Sequence, residues 1–444
     1  MATVDTLLNA RWVIPVEPDE VLLEHHTLAL AGGRIQALLP SAEAAIRYPG
    51  VATVDLPTHA LIPGLVNAHT HAAMALLRGL ADDLPLMTWL QEHIWPAEAR
   101  WVSADFVRDG SLLAMAEMLR GGTTCFNDMY FFPEVVAEAA TRAHIRACVG
   151  LIVIEVPTSW ANNPDEYLAK GERLHHNLHH PLIRTVLAPH APYTVSDDSF
   201  RKIRTLAEKL DLPIHLHVHE TAHEVAESVQ RHGRRPLTRL DALGIVSPRL
   251  LAVHMTQLTE GEIQRVADSG TRVLHCPESN LKLASGFCPV AALERAGVTV
   301  ALGTDGAASN NDLDMFGEMR SAALIGKAVA GDPAALPAHQ VLRMATLHGA
   351  EALGLGEHIG SLVPGKWADC VAVDLDSPET EPLYHPLSQL VYAAGRHQVS
   401  DVWVGGRRVL ENRCLTTLDL DNLRAEVAIW QDRLDETKAT NSGP

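Results

Sequence analysis

Five side chains that can bind a metal ion or transfer protons directly follow short apolar runs in this sequence. His69 and His71 lie in LVNAHTHA, His217 in IHLHVHE, His254 in LLAVHM, and Asp305 in VALGTDGA. Runs of β-branched and aliphatic residues of this length are typical of buried strands. Because parallel strands that close into a barrel end at one rim, these side chains predict a metal site at the mouth of a barrel.

The spacing of His69 and His71 suits metal binding. Side chains two residues apart on a strand leave from the same face, so one ion can contact both. In a chain with 24 histidines, an isolated pair of this kind is more often structural than metal-binding. His217 and Asp305, at matching strand ends, favour the metal interpretation. Three imidazoles and one carboxylate form a nitrogen and oxygen site that suits one divalent ion, Zn²⁺ or Fe²⁺, with zinc favoured.

Strand and helix patterns alternate through the middle of the chain. Ser103 is predicted to cap a helix through LLAMAEMLR, which Gly121 and Gly122 end. The repeated order predicts a parallel sheet, and eight repeats predict an α/β fold of the (β/α)8 TIM-barrel type. The eight strand candidates are 61–68, 123–128, 146–154, 183–189, 213–219, 250–254, 271–275 and 298–304.

The two ends of the chain share a different texture, with short alternating strands and Gly-Gly hairpins at Gly32 and Gly405. A (β/α)8 barrel needs about 250 residues, so a chain of 444 residues has room for a second domain. We expect a small β-sandwich domain from residues 1–60 and 363–444, and a metal-dependent barrel from residues 61–362.

Composition narrows the class of protein. The chain is 47% hydrophobic and 20% charged, which indicates a globular protein. A net charge of −18 with 36 basic residues disfavours a nucleic-acid polymer as partner. The six cysteines form no C-x-x-C pair and lie mostly in apolar runs, which favours reduced thiols and a cytoplasmic location. The sequence contains no run of about 18 apolar residues, so no membrane span is predicted.

A competing metal motif, H-E-x-x-H, begins at His219 and ends at His223. That motif binds zinc only on a helix, where residues four apart share a face. Here His219 ends a predicted strand and the next helix begins after Thr221, so a metalloprotease is disfavoured. The H-x-E and P-C-x-x-C motifs of the other zinc deaminase fold are not present in usable form.

Several segments together resemble the amidohydrolase superfamily, and most closely its 5′-methylthioadenosine/S-adenosylhomocysteine deaminases. They are LIPGLVNAHTHAAMALLRG, HLHVHET, AVHM, LGTDGAASNN and GSLVPGKWADCVAVD, spread over nearly the whole chain. The resemblance implies that His69, His71, His217 and Asp305 hold a single metal ion. Dinuclear relatives bridge two ions with a strand-end lysine, whereas the lysines between His71 and His217 lie in helical patterns.

The resemblance implies hydrolytic deamination of a 6-aminopurine nucleoside. A divalent ion lowers the pKa of water from about 15.7 to about 7, which supplies a hydroxide for attack on the ring carbon. Glu220 is expected to protonate the ring nitrogen and Asp305 to carry the water proton, both in contact with the substrate. His254 is expected to orient the hydroxide. The alternative to catalysis is a structural role for each residue. Glu220 would then be an acidic residue in the first turn of a helix, and His254 a packed imidazole at a strand end.

The long, tryptophan-rich segment after the first histidine pair, LRGLADDLPLMTWLQEHIWPAEARW, predicts a lid over the site. By resemblance, Trp89 packs near the substrate, Glu98 binds the ribose hydroxyls, and His190 and Ser309 contact the nucleoside. Core packing is the alternative for Trp89. Leu151 and Ile152, where some relatives place arginines, predict an apolar wall that suits a methylthio group better than an amino-acid tail.

Three alternatives stay open. An s-triazine hydrolase or a guanine or cytosine deaminase could use the same fold, but its substrate would offer no ribose diol to Glu98. A metal-holding barrel without catalysis would need neither Glu220 nor His254. The expected partner is a small-molecule nucleoside, with no nucleic-acid polymer and no membrane, and a homo-oligomer is left open.

Overall fold

The computed structural model describes residues 3–441, with side chains described as far as residue 435. Its strands form two sheets of eight. The strands are β1 Thr6–Val13, β2 Leu23–Ala31, β3 Arg34–Pro40, β4 Ala52–Pro63, β5 Leu65–Thr70, β6 Thr123–Asp128, β7 Arg146–Val153, β8 Ile183–Pro189, β9 Ile214–Val218, β10 Leu250–His254, β11 Arg272–His275, β12 Val300–Leu302, β13 Cys370–Asp374, β14 Val399–Val404, β15 Arg407–Glu411 and β16 Cys414–Leu415.

Strands β5 to β12 form a parallel barrel in sequence order. The last and first strands meet where the Asp305 N–H donates to the His69 carbonyl over 3.0 Å. Every residue of β5, β6 and β9 is buried, because helices cover the outside and side chains fill the inside. The predicted (β/α)8 barrel is confirmed, and its functional rim is the end to which the strand carboxyl termini point.

Helices cover the barrel between its strands. The predicted cap at Ser103 is confirmed, since its hydroxyl accepts the Phe106 N–H over 3.3 Å. The helices are α1 Ser41–Arg47, α2 Leu86–Thr88, α3 Trp95–Trp101, α4 Ala104–Arg120, α5 Pro133–Ala143, α6 Pro164–Asn177, α7 Asp197–Leu210, α8 Ala222–His232, α9 Pro236–Ala242, α10 Glu260–Ser269, α11 Pro277–Lys282, α12 Val290–Arg295, α13 Ala307–Asn310, α14 Met315–Ala330, α15 Ala338–Met344, α16 Leu347–Ala352, α17 Pro386–Tyr392 and α18 Leu420–Asn441.

Both ends of the chain build the second sheet. Its order is β16-β15-β14-β13-β4-β1-β2-β3, so the pairing of β4 with β13 joins the amino-terminal strands to the carboxy-terminal ones. The β1–β4 pair is parallel and its other pairs are antiparallel. The predicted second domain, built from both ends of the chain, is thus a separate mixed sheet. Its strands form one continuous hydrogen-bonded layer.

The strand predicted for residues 61–68 is wrong as a single element, because it is two strands of different sheets. Strand β4 ends at Pro63 in the terminal sheet, and β5 begins at Leu65 in the barrel. Gly64 links the two strands. A Cβ at this position would lie 2.0 Å from Thr124 Oγ1, so the close approach of the chain requires glycine. The expected boundary at residues 60 and 61 falls inside β4, so we propose the domains as residues 1–63 with 363–444, and residues 64–362.

Within residues 3–441, no helix combines the length and the apolar character that crossing a membrane would require.

Candidate active site

Four side chains converge at the rim of the barrel. His69 lies on β5, His71 directly follows it, His217 lies on β9, and Asp305 follows β12. His69 Nε2 and His71 Nε2 are 3.3 and 3.2 Å from Asp305 Oδ1, and His217 Nε2 is 3.3 Å from His69 Nε2. One ligating atom from each of the four residues lies within 4.8 Å of the others. The three strands therefore bring the predicted ligand set together.

Each histidine of this cluster has a partner on its other ring nitrogen. His71 Nδ1 is 2.6 Å from the Met129 carbonyl, and His217 Nδ1 is 2.7 Å from the His190 carbonyl. A carbonyl can only accept, so both rings carry their proton on Nδ1 and present Nε2 to the cluster. His69 Nδ1 is 2.8 Å from Nε2 of His215, a buried imidazole one layer deeper in the barrel.

Asp305 is held as a carboxylate in a left-handed backbone conformation, with φ +62°. Burial raises the pKa of Asp305, but the adjacent imidazoles of His69 and His71 outweigh it and hold that pKa well below the usual range. The Ser279 hydroxyl donates to Oδ2 over 2.7 Å and the Gly306 N–H to Oδ1 over 2.8 Å. Three imidazole nitrogens and one carboxylate fit a single divalent metal ion, and this donor set suits zinc.

Glu220 and His254 lie beside the metal-binding cluster. Glu220 is 6% exposed, and its Oε1 is 3.9 Å from His254 Nε2. Burial, followed by the nearby charge of Asp305, raises the pKa of Glu220 to about 8. At neutral pH the side chain is therefore a protonated acid. Burial also lowers the pKa of His254, which favours a neutral imidazole.

Sequence reasoning missed the short helix α11, although it follows a predicted strand. Asn280 Oδ1 is 2.9 Å from His254 Nδ1, and Ser279 donates to Asp305. One turn of helix thus supports both Asp305, expected to carry the water proton, and His254, expected to orient the hydroxide. The signal in the sequence was CPESN directly after the strand candidate 271–275, which is another polar strand end.

The H-E-x-x-H motif does not form a second metal site. His219 follows β9 with φ +54°, and its Nε2 accepts the Leu237 N–H over 3.1 Å. His223 is exposed in the first turn of α8, which begins at Ala222. The two histidines therefore share no helix face, as the sequence predicted.

A cavity of about 500 Å³ opens over the cluster. All the residues predicted to contact the substrate border it, and so do three of the four metal-binding residues, since His69 lies beneath its floor. The bordering residues with predicted roles are His71, Trp89, Glu98, His190, His217, Glu220, His254, Asp305 and Ser309. The structure thus places one site where the sequence expected it.

The lid forms the outer wall of this cavity. Trp89 begins a π-helical turn that runs to Ile94 and leads into α3, and its indole N–H donates to the Ala81 carbonyl over 3.1 Å. Glu98 on α3 accepts a hydrogen bond from the Tyr130 hydroxyl over 2.7 Å. Burial raises the pKa of Glu98 to about 7, against the lowering effect of that hydrogen bond.

His190 approaches the cavity from a further strand end, and Ser309 from the helix that follows Asp305. His190 follows β8, and its Nδ1 is 2.9 Å from Thr194 Oγ1. Burial lowers the pKa of His190 to about 3, so the ring is neutral. The Ser309 hydroxyl, on α13, donates to the Gly306 carbonyl over 3.0 Å. Both side chains can accept a hydrogen bond from a ligand.

The sequence matches the model of the amidohydrolase family over residues 60–409. The chain belongs to this family. A 5-methylthioadenosine/S-adenosylhomocysteine deaminase of Teredinibacter turnerae is 49% identical over 433 residues, which cover 97% of this chain and 98% of that protein. One of the same description from Saccharophagus degradans is 47% identical and covers 98% of both.

Solved structures agree with the family. An adenosine deaminase from Xanthomonas campestris with bound zinc has a TM-score of 0.97 and 57% identity, covering 98% of this chain and 99% of that one. An atrazine chlorohydrolase from Arthrobacter aurescens, complexed with zinc, has a TM-score of 0.89 and 25% identity, covering 96% and 99%. The resemblance inferred from the sequence motifs is therefore confirmed.

In this amidohydrolase the lysines between His71 and His217 lie on helices, as predicted. Lys170 is on α6, and Lys202 and Lys209 are on α7. No lysine of this stretch ends a strand, so none is placed to bridge two ions. The donor set is that of one ion.

The predicted apolar wall needs one correction. Ile152 borders the cavity, whereas Leu151 faces outward and packs against Gly171 of α6. Side chains alternate along β7, so Ile154 and not Leu151 shares the face of Ile152. Among the described residues that border the cavity there is no lysine or arginine, and its carboxylates are Glu98, Glu220 and Asp305.

Proposed function

We propose that this chain is a metal-dependent aminohydrolase that deaminates adenosine-type nucleosides and prefers 5′-methylthioadenosine. One observation carries the proposal. A single cavity holds a buried acid beside a three-histidine, one-aspartate cluster, and a second carboxylate, Glu98, on its lid wall. The acid and the cluster suit attack on an aminated ring, and Glu98 suits a sugar diol. The 49% identical relative described as a 5-methylthioadenosine/S-adenosylhomocysteine deaminase supports deamination, though its description does not distinguish the two substrates.

The reaction replaces the ring amino group by the oxygen of water and releases ammonia. When bound, a divalent ion supplies a water of lowered pKa. Glu220, with a pKa raised to about 8, donates a proton to the ring nitrogen next to the carbon under attack. Asp305 accepts one water proton and passes it to the leaving amine. The second water proton leaves the new hydroxyl as it becomes a carbonyl and restores the acid form of Glu220. His254 is buried beside Glu220 and orients the attacking oxygen.

The nucleoside sugar lies toward the lid in this proposal. Glu98 can accept two hydrogen bonds from the 2′ and 3′ hydroxyls. Trp89 packs against the substrate, while His190 and Ser309 contact its polar atoms. The role of Glu98 needs a nucleoside, because a free base has no diol.

The 5′ substituent meets an apolar wall of Ile152 and Ile154. A methylthio group is apolar and suits this wall. The homocysteine tail of S-adenosylhomocysteine carries a carboxylate, which would find no cation among the described residues that border the cavity. The wall therefore favours the smaller thioether.

Substrate comparison tests the proposal. The zinc-loaded protein is given adenosine, 5′-methylthioadenosine, S-adenosylhomocysteine, adenine and atrazine, and ammonia release is measured beside ultraviolet absorbance. We expect turnover of the nucleosides and little of adenine. Turnover of atrazine with inert nucleosides would favour a triazine hydrolase, a reaction raised by the 25% identical chlorohydrolase. Inertness toward the whole panel and toward guanine and cytosine would favour a non-catalytic barrel.

The substrate is a small molecule on this proposal. A cytoplasmic location and assembly into a homo-oligomer are further proposals. Fractionation of the producing cells tests the first, and light scattering on the purified protein tests the second.

A further inference from the structure

Glu98 lies on the lid, apart from the barrel strands that hold the metal-binding cluster. It belongs to α3, which follows the π-helical turn at Trp89–Ile94. One of its carboxylate oxygens, Oε1, accepts the Tyr130 hydroxyl over 2.7 Å. Within the described part of the chain, Oε2 is in no side-chain hydrogen bond or ion pair. The carboxylate is therefore held by one oxygen and free at the other.

Tyr130 belongs to the barrel and not to the lid. It comes two residues after the end of β6, is 4% exposed, and packs against Phe131 with ring centroids 5.3 Å apart. The preceding residue, Met129, donates its N–H to the Thr70 carbonyl and accepts a hydrogen bond from His71. The position of the Tyr130 hydroxyl is thus fixed by the same strand ends that hold the cluster.

We propose that Tyr130 is a positioning residue for substrate specificity, which ties the lid carboxylate Glu98 to the barrel and turns its free oxygen toward the ribose diol. The inference rests on the proposed function, because it needs Glu98 to bind the sugar. Tyr130 itself touches neither reacting atoms nor the metal. It sets the distance between the sugar contact on the lid and the chemistry at the rim.

The hydrogen bond acts before substrate arrives. A glutamate without such a contact must lose side-chain freedom when it binds, and that cost reduces affinity. The hydroxyl of Tyr130 orders the carboxylate in advance. Loss of this hydroxyl should therefore weaken binding of any substrate that carries the diol, and should leave the chemical step unchanged because the Tyr130 hydroxyl bonds to Glu98 and not to Glu220, His254 or Asp305.

Comparison of adenosine with 2′,3′-dideoxyadenosine tests this directly. We expect wild-type protein to favour adenosine in kcat/KM. Tyr130→Phe should lose about tenfold on adenosine, through a higher KM at nearly constant kcat, and almost nothing on the dideoxy nucleoside. Glu98→Gln should likewise lose kcat/KM on adenosine and almost nothing on the dideoxy nucleoside. The double variant should lose little more than Glu98→Gln alone, because the two residues act as a unit.

Two further variants guard against folding effects. Glu98→Asp shortens the side chain by one methylene, which breaks the contact while Tyr130 stays intact, and it should reproduce the loss on adenosine. Tyr392→Phe is the control, since it also removes a tyrosine hydroxyl, one on α17 that does not border the cavity. The ratio of the two substrates should stay at its wild-type value in Tyr392→Phe, and this ratio does not depend on the folded fraction of a preparation.

The outcomes separate the two proposals. If wild-type protein does not distinguish adenosine from its dideoxy analogue, Glu98 does not bind the sugar and the proposed function is wrong at that end. If wild-type protein and Glu98→Gln behave as expected but Tyr130→Phe keeps the wild-type ratio, the positioning role of Tyr130 is wrong alone. An equal loss on both substrates, or a fall in kcat with constant KM, also contradicts it.

Discussion

The two ends of the cavity are built differently. At the rim, the metal-binding cluster comes from strand ends, and its side chains bind one another and backbone carbonyls over 2.6 to 3.3 Å. At the outer end, the wall is mainly apolar and comes from the lid and from the residues after β7. Glu98 and Tyr130 make a polar contact between lid and barrel there. The rim is suited to one kind of reaction, whereas the outer wall can differ between enzymes that act on different substrates.

This difference predicts that changes at the rim abolish the reaction, whereas changes in the outer wall redistribute activity among substrates. The 25% identical chlorohydrolase, also described with zinc, fits such a division. Variants from each end can sharpen or break the comparison.

The largest effect is expected from loss of a metal-binding side chain. Asp305→Ala and His217→Ala each remove one of four clustered donors, so bound metal and turnover should both be lost. Metal content after dialysis, measured by elemental analysis, and ammonia release check this. His176→Ala, at a side chain 58% exposed on α6, is the control and should change neither. Full metal content and turnover in Asp305→Ala would refute the assigned cluster.

The next effect is expected at Glu220. Glu220→Gln keeps the shape but removes the acidic proton, so kcat should fall about 10²- to 10⁴-fold while metal content is unchanged. Glu227→Gln on α8 is the matched control, because that side chain pairs with Arg231 on the same helix. Near-normal turnover in Glu220→Gln would remove this residue from the mechanism.

A smaller effect is expected from the apolar wall. The kcat/KM for 5′-methylthioadenosine should exceed that for S-adenosylhomocysteine by about tenfold, since the amino-acid tail meets no cation. Val156 borders the cavity and is 53% exposed. Val156→Arg should improve the relative kcat/KM for S-adenosylhomocysteine about twofold to fivefold, as an exposed ion pair allows.

Val229→Arg is the matched control for this wall variant, since Val229 is 45% exposed on α8 and does not border the cavity. It should leave the ratio of the two nucleosides unchanged. A clearly higher kcat/KM for S-adenosylhomocysteine in wild-type protein would overturn the proposed preference.

The smallest effect is a pH dependence from the lid carboxylate. Burial raises the pKa of Glu98 to about 7, and binding of a diol by two accepted hydrogen bonds needs the ionised form. As pH falls below this value, Glu98 gains a proton, so kcat/KM for adenosine should decline. The decline should be weaker for 2′,3′-dideoxyadenosine and for Glu98→Gln. Identical acid limbs for both nucleosides would exclude Glu98 as their source.

Sequence reasoning succeeded where function follows from position along a strand. Residues at the carboxyl ends of parallel strands must meet at one rim, and alternation places His69 and His71 on one face. The positions of Glu220 and His254 follow from the same rule. It failed at Leu151, because an uninterrupted apolar run does not reveal which of its residues face inward. It failed at 61–68 because a single glycine passes the chain from one sheet to the other.

The sequence by itself determined the barrel, the donor types and the residues at the strand ends, because local patterns of two and of about 3.6 residues specify strands, helices and their order. Only the tertiary structure decided which groups hold those residues in place. The contacts of Tyr130 with Glu98 and of Asn280 with His254 join segments 32 and 26 residues apart. They depend on how loops close over the rim, and no local pattern encodes that geometry.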